Sequence, residues 1–272
     1  MDMIYVKVGA TMNGKTLLNF NFKGGVGKTT LTVMETYLLG QEGKKVLLID
    51  FDPQGNATEI MKETYKADLK PELSLYEGLL GGNLSKSIVS VTNQIDMIPT
   101  DWTLSLWIGA VEKVSRVKRN ILLPQMLSKL KQNYDYIFID VPPTINVFTN
   151  NAIMASDFIS IVLQTQKQSY TSSLKTATHL GELREQYNGS FQLVGAILYL
   201  MKPRAKVDTE ISAQAKDFFG EGVFSNSIRT QERVKTFANE GIRNKDHWDK
   251  RAIQMYQMVL NEQILRIQQL EE

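Results

Sequence analysis

Apolar residues along this chain switch repeatedly between two spacings, and the switches predict its elements. Thr16-Leu17-Leu18-Asn19-Phe20-Asn21 is an apolar, β-prone stretch that reads as a buried strand, whereas Leu31 to Leu39 has helical spacing and meets stop signals at Gly40 and Gly43. Val46-Leu47-Leu48-Ile49 is a continuous apolar run, as expected of a parallel strand covered on both faces. Leu73 to Leu80 predicts a helix broken by Gly81-Gly82, and Ile95-Asp96-Met97-Ile98-Pro99 predicts another strand. The run Tyr134 to Asp140 is a strand that cannot continue past Pro142-Pro143. Phe158 to Leu163 and Leu193 to Leu200 then read as strands, alternating with helices over Ser172 to Tyr187 and Val207 to Phe219. A last helix, from about His247 to Gln269, puts Ile253, Tyr256, Leu260, Ile264 and Ile267 on one face, which is the face that packs on the domain. This alternation predicts an α/β fold: a doubly wound, mainly parallel sheet with helices on both faces. Upstream, Ile4 to Val8 reads as a short strand and Asn13-Gly14 as a turn.

Composition narrows the picture. The 272 residues are 43% hydrophobic, enough for a sizeable core, and the seven prolines are scattered with no linker or repeat between them. One domain over residues 1–272 is expected, with 1–15 a short extension and 247–272 the closing helix. The absence of cysteine excludes disulfides, thiolate metal sites and iron–sulfur clusters. No apolar run approaches a membrane span and the first residues lack a signal-peptide core, so a cytoplasmic location is expected. A formal charge of +2 is weak, so nucleic-acid binding would need a local patch. His179 and His247 are isolated, and Trp102 and Trp107 are expected in packing roles.

The chemistry is densest just after the first core strand. Lys23-Gly24-Gly25-Val26-Gly27-Lys28-Thr29-Thr30 lies between a strand and a helix, the context of a P-loop. Its glycines let successive backbone N–H groups face a phosphate at the positive end of the helix. Lys28 is then expected on the β- and γ-phosphates of a nucleoside triphosphate and Thr29 on Mg²⁺. Phe22 stands in the slot of the usual first glycine, and Lys23 follows it. A lysine there points across the phosphates, where it would best complete a site on a second subunit. Asp50 and Asp52 end the second strand beside the γ-phosphate position; Asp50 suits the Mg²⁺ shell and Asp52 suits orienting the attacking water. Asp140 ends its strand as a Walker B carboxylate and is expected to hold a water of that shell. Two basic segments remain: Arg204 and Lys206 in Lys202 to Lys206, and Arg233 and Lys235 in Arg229 to Lys245. Lys113 to Arg119 is expected to be a solvated helix face.

The K-G-G-x-G-K-T loop resembles the deviant P-loop of the ParA/MinD ATPase family. From Thr16 to about Gly241 the order of Asp50-Phe51-Asp52-Pro53-Gln54-Gly55-Asn56-Ala57-Thr58 and Tyr134 to Thr144 is similar to the small, single-domain ParA partition ATPases. The resemblance implies that Lys23 acts in trans across an ATP-sandwich homodimer. It also implies that the dimer coats double-stranded DNA without sequence preference, and so associates with the nucleoid. An adaptor bound at a centromere, of ParB or ribbon-helix-helix type, would stimulate hydrolysis. By the same resemblance, arginines in the slots of Arg204 and Arg233 bind the phosphate backbone. Departures from the pattern are Ile228-Arg229-Thr230-Gln231 where the family commonly has I-P-R-N, and Tyr199 in place of a threonine; both lie where the family holds adenine. A MinD-like membrane-associated positioning ATPase is the alternative. The chain ends Gln268-Gln269-Leu270-Glu271-Glu272, which an anionic membrane surface would repel, so no membrane partner is expected.

Overall fold

The computed structural model describes residues 14–202 and 204–272. Strands run over Lys15–Phe20 (β1), Val46–Asp50 (β2), Val89–Ser90 (β3), Ile95–Ile98 (β4), Tyr136–Asp140 (β5), Phe158–Gln164 (β6), Gln192–Met201 (β7) and Ile228–Arg229 (β8). Helices run over Lys28–Gln41 (α1), Asn56–Tyr65 (α2), Leu75–Gly81 (α3), Trp107–Ala110 (α4), Arg116–Arg119 (α5), Leu122–Leu130 (α6), Val147–Ala155 (α7), Lys167–Tyr187 (α8), Lys206–Phe219 (α9), Glu232–Glu240 (α10) and His247–Glu271 (α11).

The strands form one sheet in the order β3-β4-β2-β5-β1-β6-β7-β8. Every pairing is parallel except β3 with β4. Because side chains alternate across a strand, Leu17 enters one layer and Leu18 the other. The first layer packs α1, α2, α10 and α11 through residues such as Leu31, Ile60, Phe237 and Leu260. The second packs α3, α6, α7 and α8 through Leu79, Leu127, Phe148 and Leu180. A parallel sheet covered on both faces requires the apolar runs seen in β2 and β5, which are buried along nearly their whole length.

This arrangement fixes the site. β1 lies between β5 and β6, so the chain leaves β1 at the point where the winding of the sheet reverses. Asp50 and Asp140 are register partners at the ends of neighbouring strands β2 and β5. The expected elements are present with shifted ends: α1 begins at Lys28 and α8 at Lys167. Trp107 is buried between Phe51 and Phe148, but Trp102 is 71% exposed, which corrects its expected packing role. Trp102 opens a short turn whose Leu104 alone is buried, and none of the described residues covers the indole. The predicted Ile4 to Val8 strand and Asn13 lie outside the described residues.

Candidate nucleotide-binding site

The loop from Asn21 to Gly27 is held by side chains on its flanks. Asn21 Nδ2 donates to the Val162 carbonyl at 2.8 Å, while its Oδ1 accepts from the Lys23 amide at 2.9 Å and Ser172 Oγ at 2.7 Å. Gly25 (φ 74°) and Gly27 (φ 99°) take left-handed backbone conformations that favour glycine. At Gly27 space is also decisive, since a Cβ there would lie 2.0 Å from Cε1 of Tyr199. The result is a turn that delivers Lys28, Thr29 and Thr30 as the first turn of α1, with no side chain capping its amides. Those unpaired N–H groups and the helix dipole make an anion seat.

Lys28 is buried, and its Nζ donates to the Lys23 carbonyl at 3.2 Å. Burial lowers its pKa, opposed by the charges of Asp140 and Asp52. Lys23 lies partly exposed at the start of the loop, and its backbone rather than its ammonium contacts the site. Thr29 Oγ1 donates to Asp140 Oδ2 at 2.8 Å, and Asp140 Oδ1 is buried with no partner among the described residues. Burial, then the charge of Asp50, push the Asp140 carboxyl well above the usual carboxylate range. Asp50 Oδ2 accepts from the Thr58 amide at 2.8 Å and from its hydroxyl at 2.7 Å, so the strand end caps the first turn of α2. Its pKa is pushed up by burial to about 7. Asp52 is also buried; its Oδ1 accepts from the Gln54 amide at 3.0 Å, and burial raises its pKa against the pull of Lys28.

Three carboxyls thus share a buried site with one ammonium, and an orphaned carboxylate oxygen sits beside a threonine hydroxyl. A divalent cation fits that imbalance. Among the described residues no cluster of three or more carboxylate or imidazole side chains could cage a metal. Thr29 and Asp140 would hold an ion such as Mg²⁺ that takes its remaining oxygens from water and phosphate.

A family model described as "AAA domain" matches residues 14–193. The sporulation initiation inhibitor protein Soj of Bacillus subtilis (strain 168) is 32% identical over 84% of this chain and 89% of its own. The chromosome partitioning protein ParA of Myxococcus xanthus is 30% identical over 78% of this chain and 74% of its own. The chain belongs to the ParA/Soj family of partition ATPases. The fold agrees: an ATP complex of Cyanothece McdA superposes with a TM-score of 0.81 at 24% identity, covering 93% of this chain and 96% of the other.

Two positions where this ParA-type chain departs from the family pattern have structural roles of their own. Tyr199 is buried, with its ring on Gly27 and its hydroxyl 2.5 Å from that of Tyr256 in α11. The segment Ile228 to Gln231 forms the edge strand β8 and the cap of α10. The cations expected at DNA sit on the rim of the molecule. Arg204 is exposed with φ 70° in the turn after β7, and Lys206 opens α9 with its ammonium 3.9 Å from Glu210. Lys235 is exposed on α10, 3.6 Å from Glu232. Arg233 is different: Asp246 and Asp249 bind its guanidinium together, the latter at 2.9 Å. The cluster Lys113 to Arg119 is solvent-facing and includes the short α5, as expected. Sequence reasoning missed Asn21, Thr58 and the two aspartates on Arg233. Thr58 had a signal, since it closes the Asp50 to Thr58 motif.

Proposed function

We propose that this protein is a DNA-partition ATPase that binds ATP with Mg²⁺ and dimerises around the nucleotide. The Thr29–Asp140 pair with its unpartnered oxygen, beside Lys28 at the open end of α1, is the observation that carries the nucleotide site. The loop amides of Lys23, Gly24, Gly25, Val26 and Gly27 and the first turn of α1, Lys28 to Thr30, seat the phosphates. Lys28 Nζ exchanges its bond to the Lys23 carbonyl for β- and γ-phosphate oxygens and stays charged between Asp52 and Asp140. Thr29 and Asp140, with Asp50 as a further carboxylate, would hold Mg²⁺, which would supply screening of the phosphate charge. Asp52 orients the attacking water; its raised pKa brings its proton affinity nearer to neutrality than that of a free aspartate, although positioning is its main task. Lys23, whose ammonium has no partner among the described residues, crosses to the partner's phosphates in the sandwich homodimer.

The dimer then presents Arg204, Lys206, Arg233 and Lys235 to duplex DNA without sequence preference, and so associates with the nucleoid. A centromere-bound adaptor, of ParB or ribbon-helix-helix type, stimulates turnover. Among the described residues no helix is long and apolar enough to cross a membrane. Titrating ATP into Lys28→Ala tests the nucleotide site: binding should be lost, and normal affinity would refute the assignment.

A further inference from the structure

The stretch between β4 and α6 carries two features that the nucleotide site leaves unused. Its first half presents apolar side chains to solvent: Trp102 is 71% exposed, and Leu106 and Ile108 are each 47% exposed. Its second half carries Lys113, Arg116, Lys118 and Arg119, none of which forms an ion pair among the described residues. This surface is firmly held from below. Leu104, Trp107 and Val111 are buried under it, and the Trp107 ring packs on Phe51 and Phe148 with centroids 5.4 and 5.5 Å away. At its start the Thr100 amide donates to Thr58 Oγ1 at 3.1 Å, and at its end Asn151 Nδ2 donates to the Arg119 carbonyl at 2.7 Å. Apolar side chains that face solvent from a fixed backbone make a preorganised binding surface.

The charges select what covers it. Residues 101–119 hold two carboxylates, Asp101 and Glu112, against four cations, and all four cations follow Glu112. Two copies meeting through this patch about a two-fold axis would set those cations against one another. A bilayer surface takes up apolar and basic side chains interleaved around one amphipathic helix. Here the apolar residues precede the cations, and α4 and α5 have four residues each. A protein segment with apolar side chains in one part and carboxylates in the next matches that order. We propose that residues 102–119 are a docking surface for an acidic protein segment. Its apolar side chains cover Trp102, Leu106 and Ile108, and its carboxylates pair with Lys113, Arg116, Lys118 and Arg119. Docking there leaves the nucleotide site and the cations proposed for DNA free.

The test is selection of phage-displayed random peptides on the full parent chain, with counter-selection on Trp102→Ala/Ile108→Ala. The enriched peptides should combine aromatic or aliphatic residues with glutamate or aspartate. In anisotropy titrations of such a labelled peptide, Trp102→Ala/Ile108→Ala should weaken binding by about tenfold or more. Lys113→Gln/Arg116→Gln/Lys118→Gln should weaken it and remove most of its salt dependence, whereas Lys113→Arg/Arg116→Lys/Lys118→Arg should retain both. Each variant should bind ATP as the parent does, which checks that it folds. No enrichment, or enrichment of basic sequences, would overturn the proposal. So would parent-like peptide affinity in both the alanine and the glutamine variants. Vesicles of phosphatidylcholine and phosphatidylserine that bind the parent chain, lose the alanine variant and displace the peptide would make the patch a membrane surface instead. A blue shift of tryptophan emission on adding ATP and Mg²⁺ alone, absent in Trp102→Phe, would show that a second copy covers the patch and would also overturn it.

Discussion

Asp52, Gly27 and Glu35 show how single residues divide between chemistry and construction. Asp52 sits at a strand end with one carboxylate oxygen committed to the Gln54 amide, so Asp52→Ala should retain ATP binding while slowing hydrolysis by about a hundredfold. Parent turnover in a single-turnover assay would reduce Asp52 to a turn former. Gly27→Ala meets both a left-handed φ and the Tyr199 ring, and should cost about 3 kcal/mol in urea unfolding. Glu35 is fully buried on α1 and hydrogen-bonded by Asn19 Nδ2 at 2.5 Å; burial raises its pKa from 4.5 to about 8. The folded chain therefore holds a proton there that the unfolded chain releases between those values. Stability should fall as pH rises from about 5 to 8, by an amount on the order of 4 kcal/mol from this group. Glu35→Gln should flatten that slope, and denaturation midpoints at pH 5 and pH 8 would reveal an unchanged one.

At the scale of elements, what could be read from the sequence was what local patterning controls. β2 and β5 are buried on both faces and must be apolar throughout, so their runs were legible, and Asp50 and Asp140 stood out where the runs stopped. The P-loop was legible because its glycines and Lys28 are contiguous. The start of α8 was not, because its buried first turns use Ser169, Ser173 and Thr176 in place of apolar residues. Ser173 and Thr176 satisfy their own hydroxyls on the Tyr170 and Ser172 carbonyls, so no hydrophobic period announces them. The contacts of Asn21 with Val162 and Ser172, of Asp50 with Thr58 and of Arg233 with Asp246 and Asp249 depend on tertiary placement, which spacing alone does not encode. Tyr256 belongs to the same class: it couples α11 to the wall of the P-loop through Tyr199. Tyr256→Phe leaves the Tyr199 hydroxyl without that buried partner and should cost about 1–3 kcal/mol, measured by chemical denaturation. No loss would show that the two hydroxyls find other partners.

For the whole molecule, the carboxyl ends of the parallel strands gather every group proposed to touch nucleotide, while Arg204, Lys206 and Lys235, exposed on the segments after β7 and β8, are among the cations proposed for DNA. The proposed dimer gives a role to the Lys23 ammonium, which has no partner among the described residues. Lys23→Gln should therefore bind ATP yet fail in hydrolysis. Mixing Lys23→Gln with Lys28→Ala tests whether activity is restored in trans; full turnover by Lys23→Gln alone would remove the sandwich. The most direct measurement of the central claim is sedimentation velocity of the parent chain without nucleotide, with ATP and Mg²⁺, and with ATP, Mg²⁺ and a duplex. A dimer that appears with ATP and then co-sediments with DNA of any sequence is the predicted result. A chain that remains monomeric with ATP bound, or that binds DNA equally well without nucleotide, would contradict it.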